Sequence, residues 1–250
     1  MLCRTLKAEE AASHAKLRGM LSFAPDASTA LGLPQCGAIA ASYLLGSVPF
    51  GLLLGFLRGV DIRKVGSGNI GATNVGRALG RPMALLAFVL DFCKGWLPSF
   101  WLAHQLAASS DDAWLLAVLC GGAATLGHVW PIFLRFKGGK GVATGCGAIV
   151  GIDPMIFVGG GAVWVVTLAL SRYVSLASLA MGLSFPLLAW LRIEGQPYGV
   201  ETIGGTGALM LLIFIRHSAN VQRLLAGTES RFGGSGAKPE PPREDSDEPA

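Results

Sequence analysis

The chain has 250 residues, of which 52% are hydrophobic and only 14% charged, and its mean hydropathy is +0.52. Because a soluble domain usually carries about 25% charged residues, this composition excludes an ordinary soluble globular protein. The net charge of +4 is modest, and we expect membrane lipid rather than nucleic acid as a partner of this chain.

Long charge-free stretches predict the fold class. Each approaches the roughly 17–25 residues of a membrane-spanning helix, although the last is short. A soluble helix would instead show a polar face at helical period. We therefore predict an all-α integral membrane protein, a polytopic helical bundle. The charge-free stretches are 37–57, 113–134, 174–191 and 203–215.

The ends of the chain differ from its middle. We divide the chain into an N-terminal extension at 1–36, a membrane-embedded domain at 37–232 and a tail at 233–250. The tail is rich in Gly, Pro and charge, which predicts disorder. The extension has four Lys and Arg residues before Met20. These cations argue against an N-terminus on the outside, and a translation start at Met20 would remove them.

The distribution of Lys and Arg predicts the topology. Basic residues follow the apolar segments 37–57, 113–134 and 203–215, whereas the connections 104–112 and 192–201 are acidic on balance. Because cytoplasmic loops are enriched in Lys and Arg, we expect the basic loops inside. The region 141–171, broken at Asp153, is interpreted as two spans, and a further span contains Asp91 and Lys94, which gives seven transmembrane helices with the N-terminus out and the C-terminus in. Five spans remain possible if the short segments are re-entrant.

The first basic loop reads GSGNIGATNVGRALG, at 66–80. Its glycines match a dinucleotide-binding pattern, but the strand–turn–helix setting that this pattern requires is absent between two membrane spans. The loop is either a solvated turn region or a set of hydrogen-bond donors for a phosphorylated or polyhydroxylated ligand. The candidate binding residues are Ser67, Asn69, Thr73, Asn74 and Arg77.

The second basic loop lies within GHVWPIFLRFKGGKGVATG, at 127–145. Glycine leaves backbone N–H groups bare for an anion, and lysine supplies the countercharge. The loop is not a nucleotide-binding P-loop, because Gly141 follows Lys140 where Ser or Thr is required. A loop that only sets topology is the competing interpretation. The candidate phosphate-binding residues are Lys137, Gly138, Gly139, Lys140 and Gly141.

The third polar segment, at 217–233, follows the last apolar stretch. His217 and Asn220 are three residues apart and would share a helix face. Glu229 lies in basic surroundings, so we expect it to form a structural ion pair. Ser175 belongs to another polar patch on the same predicted inner face and is a further candidate phosphate ligand.

Three ionisable residues fall within predicted spans. Asp91 and Lys94 are expected to form an internal ion pair, because ionisable groups in a span usually pair and face protein. His128 lies near the end of the span 113–134, where a histidine is as well explained by packing or an interhelical hydrogen bond as by a reactive role. No set of residues has metal-ligand spacing, and we expect neither a metal nor another cofactor.

Four blocks carry a resemblance to one family. They are YLLGSVPFG (43–51), GSGNIGATNVGRALG (66–80), GHVWPIFLRFKGGKGVAT (127–144) and the segment from His217 to Glu229. Over about residues 37–232 the chain resembles the PlsY family of bacterial acyl-phosphate:glycerol-3-phosphate acyltransferases. Ser218 stands where the family often has Arg, and the long N-terminus also departs from the family pattern.

The resemblance implies a multi-pass enzyme of the bacterial inner (plasma) membrane with its active site at the cytoplasmic face. Its substrates would be acyl phosphate and sn-glycerol 3-phosphate, and its products lysophosphatidic acid and phosphate, in the first step of phospholipid synthesis. The family motifs match catalytic candidates at Ser67, Arg77, Lys140, His217 and Asn220. Acyl-chain preference, oligomeric state and protein partners are not indicated.

Several questions stay open at this point. We expect Arg77, a loop lysine and Asn220 to hold the glycerol 3-phosphate, and the glycine backbone, Thr73 and Ser175 to cradle the acyl phosphate. The hydroxyl proton would pass to His217 or to the leaving phosphate, and covalent catalysis by Ser67 is a third route. A transporter for an organic phosphate is the alternative from another class, although the sequence has no internal repeat.

Overall fold

The computed structural model describes residues 31–107, 110–193 and 199–233, and across these ranges it is all-helical, as expected. Residues 1–30, with the proposed start at Met20, lie outside the described residues, as does the tail after residue 233 that was expected to be disordered.

Among the described residues, the first half of the bundle contains six α-helices and three short connecting turns. The turns are 3-10 turns at Ile62–Lys64 and Ile132–Leu134 and a π-helical turn at Pro98–Leu102. The helices are α1 (Leu33–Gly46), α2 (Phe50–Leu57), α3 (Ala72–Leu79), α4 (Arg81–Leu97), α5 (Ala103–Leu106) and α6 (Ser110–Val129).

The second half begins after the glycine–lysine loop. It contains a short helix, three long helices and a final short one. They are α7 (Val142–Ile152), α8 (Pro154–Ser171), α9 (Val174–Arg192), α10 (Val200–Arg216) and α11 (Ser218–Leu225).

Local chemistry explains the break between α7 and α8. Asp153 is extended, and its Oδ1 accepts a hydrogen bond from the N–H of Met155 at 2.7 Å. This is an N-cap, which satisfies a donor that has no intrahelical partner. Pro154 occupies the first helical position, where its missing N–H costs nothing.

Glycines allow the helices to cross closely. A Cβ at Gly46 of α1 would collide with the Ala124 carbonyl of α6, and one at Gly127 would collide with the Tyr43 carbonyl. Between α4 and α7, a Cβ at Gly95 would meet the carbonyl of Thr144. Small residues of this kind let helix backbones approach in lipid, where no hydrophobic force drives them together.

Within the described ranges, five helical segments are long and apolar enough to span a membrane, or up to six when α10 and α11, bent by 58°, count as one span. The expected seven full spans are therefore not confirmed. The difference lies in α7, whose 11 residues measure only about 16 Å, while a bilayer core is about 30 Å thick.

Contacts between loops define two ends of the bundle. At one end, Asp153 pairs with Arg192, with Nε and Oδ2 2.8 Å apart. At the other, Lys140 binds Asn220 and Arg172 binds the carbonyl of Phe232. The helix α7 runs from the second group to the first, so the basic loops gather at one end of the bundle.

Large apolar side chains cover the outside of the helices. Leu170 is 83% exposed, Leu191 60% and Leu211 58%. Buried positions include polar and charged residues such as Asp91, which is 1% exposed. Because this arrangement would be costly in water, it is typical of a bundle whose outer surface faces lipid.

Candidate active site

Asn74 organises the first basic loop. Its Oδ1 accepts a hydrogen bond from the Ser67 N–H at 2.9 Å, and its Nδ2 donates to the Ile62 carbonyl at 2.8 Å. Gly66 and Gly68 have positive φ angles of 57° and 68°, which glycine adopts without strain. Asn74 is only 1% exposed, so its amide holds the loop rather than facing solvent.

The other candidates of this loop differ in exposure. Ser67, Thr73 and Arg77 are exposed at the end of the bundle that carries the basic loops. Asn69 accepts a hydrogen bond from the N–H of Gly71 at 2.8 Å, which makes a local turn. The loop therefore exposes the hydroxyls of Ser67 and Thr73 and the guanidinium of Arg77, while hydrogen bonds of Asn69 and Asn74 hold its backbone in place.

The second basic loop closes the end of α6. The N–H of Gly139 donates to the His128 carbonyl at 3.0 Å, and that of Gly138 donates to the Val129 carbonyl at 3.2 Å. These carbonyls belong to the last turn of α6, where helical partners run out. In this structure α6 therefore engages the N–H groups of Gly138 and Gly139, which were expected to cradle a phosphate.

Arg216 holds the same loop from the other side. Its Nε and Nη2 donate to the carbonyls of Gly139 and Gly138, each at 3.2 Å. Gly141 follows with a left-handed φ of 78° and starts α7. The first N–H groups of α7 have no intrahelical acceptor, so this helix start, unlike the two glycines, has donors for an anion.

A chain of hydrogen bonds joins the second and third polar segments. Lys140 Nζ donates to Asn220 Oδ1 at 2.5 Å, and Asn220 Nδ2 donates to Glu229 Oε1 at 2.6 Å. Glu229 Oε2 lies 2.7 Å from Arg223 Nε, which is the ion pair expected for Glu229. The Glu229 carboxylate thus fixes the orientation of the Asn220 side-chain amide, so that the amide oxygen of Asn220 faces Lys140.

Charges concentrate around Lys140. The pKa of Lys140 is lowered to about 8, chiefly by burial, while the charge of Glu229 raises it and the charges of Arg223, Arg77 and Arg216 lower it. Burial raises the pKa of Glu229, but the nearby Ser175 hydroxyl and the hydrogen bonds from Asn220 and Arg223 outweigh burial, so the net shift is downward. Since three guanidinium groups act on one ammonium, the site attracts an anion.

Ser175 is buried beside this network. Its hydroxyl is near enough to Glu229 to stabilise the carboxylate charge, although Ser175 Oγ meets no partner in good hydrogen-bond geometry. Ser175 therefore retains hydrogen-bonding capacity for a further group.

His217 lies at the turn between α10 and α11 and is 2% exposed. Its Nδ1 is 2.8 Å from the Ile213 carbonyl, which requires a proton on Nδ1 and leaves the Nε2 lone pair free. Burial and the charge of Lys140 lower the pKa of His217 to about 4. The imidazole is therefore neutral near pH 7 and is a weak base.

A second ionic cluster lies inside the bundle. Lys94 Nζ is 2.9 Å from Asp91 Oδ1, and the side chains are 1% and 2% exposed, which confirms the expected internal pair. His128 Nδ1 is 3.6 Å from the same oxygen. Lys94 also donates to the Val48 carbonyl at 2.9 Å.

The structure thus gathers Lys140, Asn220 and Glu229, with Arg77 and Ser175 nearby, and leaves Lys137 exposed. Sequence reasoning missed Arg216 and Arg223 as parts of the site. The available signal was weak, because cations beyond the last span also fit a topology-setting loop. Among the described residues, no three His, Cys, Asp or Glu side chains group as metal ligands.

The fold and the site together define an integral membrane protein with several helical passes and an anion site at one end of the bundle. A family model described as glycerol-3-phosphate acyltransferase matches residues 36–227. The chain belongs to this glycerol-3-phosphate acyltransferase family.

Curated relatives agree with the family model. A glycerol-3-phosphate acyltransferase of Trichlorobacter lovleyi is 44% identical over 195 residues, covering 78% of this chain and 95% of the relative. One of Aquifex aeolicus is 42% identical, covering 76% of this chain and 95% of that protein.

Solved structures agree with the fold. The glycerol 3-phosphate form of PlsY (YgiH), an integral membrane glycerol 3-phosphate acyltransferase, matches with a TM-score of 0.73 and 41% identity, over 80% of this chain and 96% of that one. The lysophosphatidic acid form matches with a TM-score of 0.72 and 40% identity, over 80% and 95%.

Proposed function

We propose that this enzyme transfers a fatty acyl group from acyl phosphate to the 1-hydroxyl of sn-glycerol 3-phosphate. The products are lysophosphatidic acid and inorganic phosphate. The observation that carries this proposal is the partly buried Lys140–Asn220 contact among Arg77, Arg216 and Arg223. It places concentrated positive charge at the end of a bundle whose sides face lipid, which suits two phosphorylated substrates of which one has an acyl tail.

The acceptor phosphate binds to Lys140 and Arg77, with Asn220 orienting the lysine and Lys137 adding charge from the exposed side. A lysine is a compact point charge, and arginine offers a fork of donors, so together they neutralise a phosphate dianion. The relative crystallised with glycerol 3-phosphate supports this acceptor.

The acyl phosphate lies against the start of α7. Gly141 and the first N–H groups of α7 donate to its phosphate, in place of Gly138 and Gly139, whose N–H groups cap α6. The hydroxyls of Ser67, Thr73 and Ser175 and the amide of Asn69 add hydrogen bonds. Donors aimed at the acyl oxygen stabilise its negative charge as the tetrahedral intermediate forms.

In the chemical step, O1 of the glycerol attacks the acyl carbonyl carbon, and the bond from that carbon to the phosphate oxygen breaks. The departing phosphate takes up the hydroxyl proton. A histidine with a pKa of about 4 is a poor match for a general base near pH 7. His217 instead orients the hydroxyl through Nε2, and the enzyme acts by positioning and charge neutralisation.

The enzyme works at the inner membrane of a bacterium, with the basic end of the bundle facing the cytoplasm. The excess of Lys and Arg in the loops at this end supports that orientation. Membership of an acyltransferase family leaves the transporter alternative without support.

The test is turnover by the purified enzyme in detergent. Acyl phosphate and glycerol 3-phosphate together should yield lysophosphatidic acid and phosphate in equal amounts, and either substrate alone should not. Acyl-CoA and acylated carrier protein serve as matched donors. Turnover with either of them, and none with acyl phosphate, would refute the proposed donor.

A further inference from the structure

Three charged or polar residues inside the bundle, Asp91, Lys94 and His128, lie between the first and second basic loops. We propose that they form a positioning cluster that holds both loops in the arrangement needed to bind glycerol 3-phosphate. This inference rests on the proposed function for its substrate, but it concerns residues that do not touch the reacting atoms.

The cluster reaches the second loop through His128. The ring of His128 lies directly against Gly139, since a Cβ at that glycine would collide with Nε2. The carbonyl of His128 also accepts the N–H of Gly139 at 3.0 Å. Because Lys140 follows Gly139 directly, the position of the His128 ring determines how far the Lys140 backbone lies from the end of α6.

The cluster reaches the first loop through Lys94. Its Nζ donates to the Val48 carbonyl at 2.9 Å and lies 5.7 Å from the centre of the Phe50 ring. These residues form the break between α1 and α2. The next residue, Gly51, packs so closely on the carbonyl of Ile70 that a Cβ would overlap it, and Ile70 belongs to the loop that carries Ser67.

Asp91 lies between Lys94 and His128 and contacts both. Its Oδ1 is 2.9 Å from Lys94 Nζ and 3.6 Å from His128 Nδ1, so one carboxylate oxygen faces both partners. Burying an ion pair is costly, and well-packed apolar residues often stabilise a fold as much or more. A pair kept at 1% and 2% exposure is therefore better explained by the geometry that it imposes than by stability.

The same argument supplies variants that should still fold. Asp91→Asn with Lys94→Gln removes both buried charges together, so that neither is left uncompensated. His128→Asn shortens the side chain under Gly139. The matched control is Ser99→Ala, which changes a buried hydroxyl that donates to the Gly95 carbonyl of the same membrane segment, at the end away from the basic loops.

Binding of glycerol 3-phosphate by calorimetry and steady-state kinetics should separate these variants. We expect the double variant and His128→Asn to raise the Kd and the KM for glycerol 3-phosphate roughly tenfold to a hundredfold, with melting temperatures close to that of the unaltered enzyme and a smaller change in kcat. Ser99→Ala should leave all four quantities unchanged. An unchanged Kd in a folded His128→Asn or double variant overturns the proposal.

A double-mutant cycle covers the case in which these variants unfold. Gly139→Ala drives a methyl group into the His128 ring, and His128→Ala removes that ring. If His128 positions the loop by contact, the double variant binds glycerol 3-phosphate more tightly than Gly139→Ala alone. Additive losses overturn the proposal. Because binding is measured without the acyl donor, failure of the unaltered enzyme to turn over acyl phosphate would refute the proposed donor and leave this result intact.

Discussion

The lowered pKa of Lys140 makes a quantitative prediction for the pH dependence of acceptor binding. With a pKa of about 8, about nine tenths of the Lys140 side chains are charged at pH 7 and about one tenth at pH 9. If only the charged form holds the phosphate, the apparent affinity scales with that fraction. The value of kcat/KM for glycerol 3-phosphate should therefore fall roughly tenfold between pH 7 and pH 9, with a midpoint near 8.

The direction of the change follows from the charge. Raising the pH removes the proton from an ammonium, so binding of an anion is lost on the alkaline side. The other site groups with lowered values do not titrate in this window, since the pKa of His217 is about 4 and that of Glu229 lies below its usual acidic range. The expected alkaline limb therefore reports Lys140.

The assay is initial-rate kinetics in detergent, with acyl phosphate saturating and a blank without enzyme at each pH to correct for hydrolysis of the donor. Lys140→Arg stays charged throughout this pH range and should flatten the profile, whereas the activity of Lys140→Met should be low at pH 7 and equally independent of pH. A flat profile for the unaltered enzyme, or a limb near pH 8 that persists in Lys140→Arg, would refute the reasoning.

Three further predictions concern proton transfer, loop support and helix packing. His217→Gln should retain kcat within about tenfold, because a general base contributes about 10²–10⁴; a loss of a hundredfold or more would identify the histidine as the base. Asn74→Ala leaves the Ile62 carbonyl and a loop N–H unpaired and should lower stability by about 1–3 kcal/mol in a denaturation titration; an unchanged midpoint contradicts that. Gly127→Ala should lower the melting temperature sharply because its Cβ meets the Tyr43 carbonyl, whereas Gly122→Ala, with open space around its Cβ, should not; equal melting of the two would be inconsistent with this crossing.

Local signals in the sequence were sufficient for the long apolar helices and for contacts between near neighbours, but not for α3, which lies within the predicted loop at 66–80. Charge-free stretches marked the long apolar helices, and the spacing of Asp91 and Lys94 predicted their pair, because residues three apart meet on one helix face. The ion pair of Glu229 was predicted in kind, although its partner Arg223 was not identified.

Contacts across the bundle could not be predicted in the same way. Arg216 reaches carbonyls 77 and 78 residues away, and no periodicity in the chain encodes that distance. The glycine N–H groups looked free because the sequence does not show that the carbonyls at the end of α6 lack partners. The N–H groups of Gly138 and Gly139 donate to those carbonyls, so the proposed N–H donors for the acyl phosphate are those at the start of α7.

The shortness of α7 affects where water and lipid meet. A helix of about 16 Å that joins the two ends of the bundle cannot cross the about 30 Å of hydrocarbon by itself, so at least one of its ends, at Gly141 or at Asp153, lies below the level of the surrounding headgroups. On the proposed function, a recessed end at Gly141 would require glycerol 3-phosphate to pass below the headgroups to reach Lys140, while an acyl phosphate could approach sideways with its tail still in the bilayer. One helix that is too short to span the membrane would then let an aqueous and a membrane-bound reactant reach the same site.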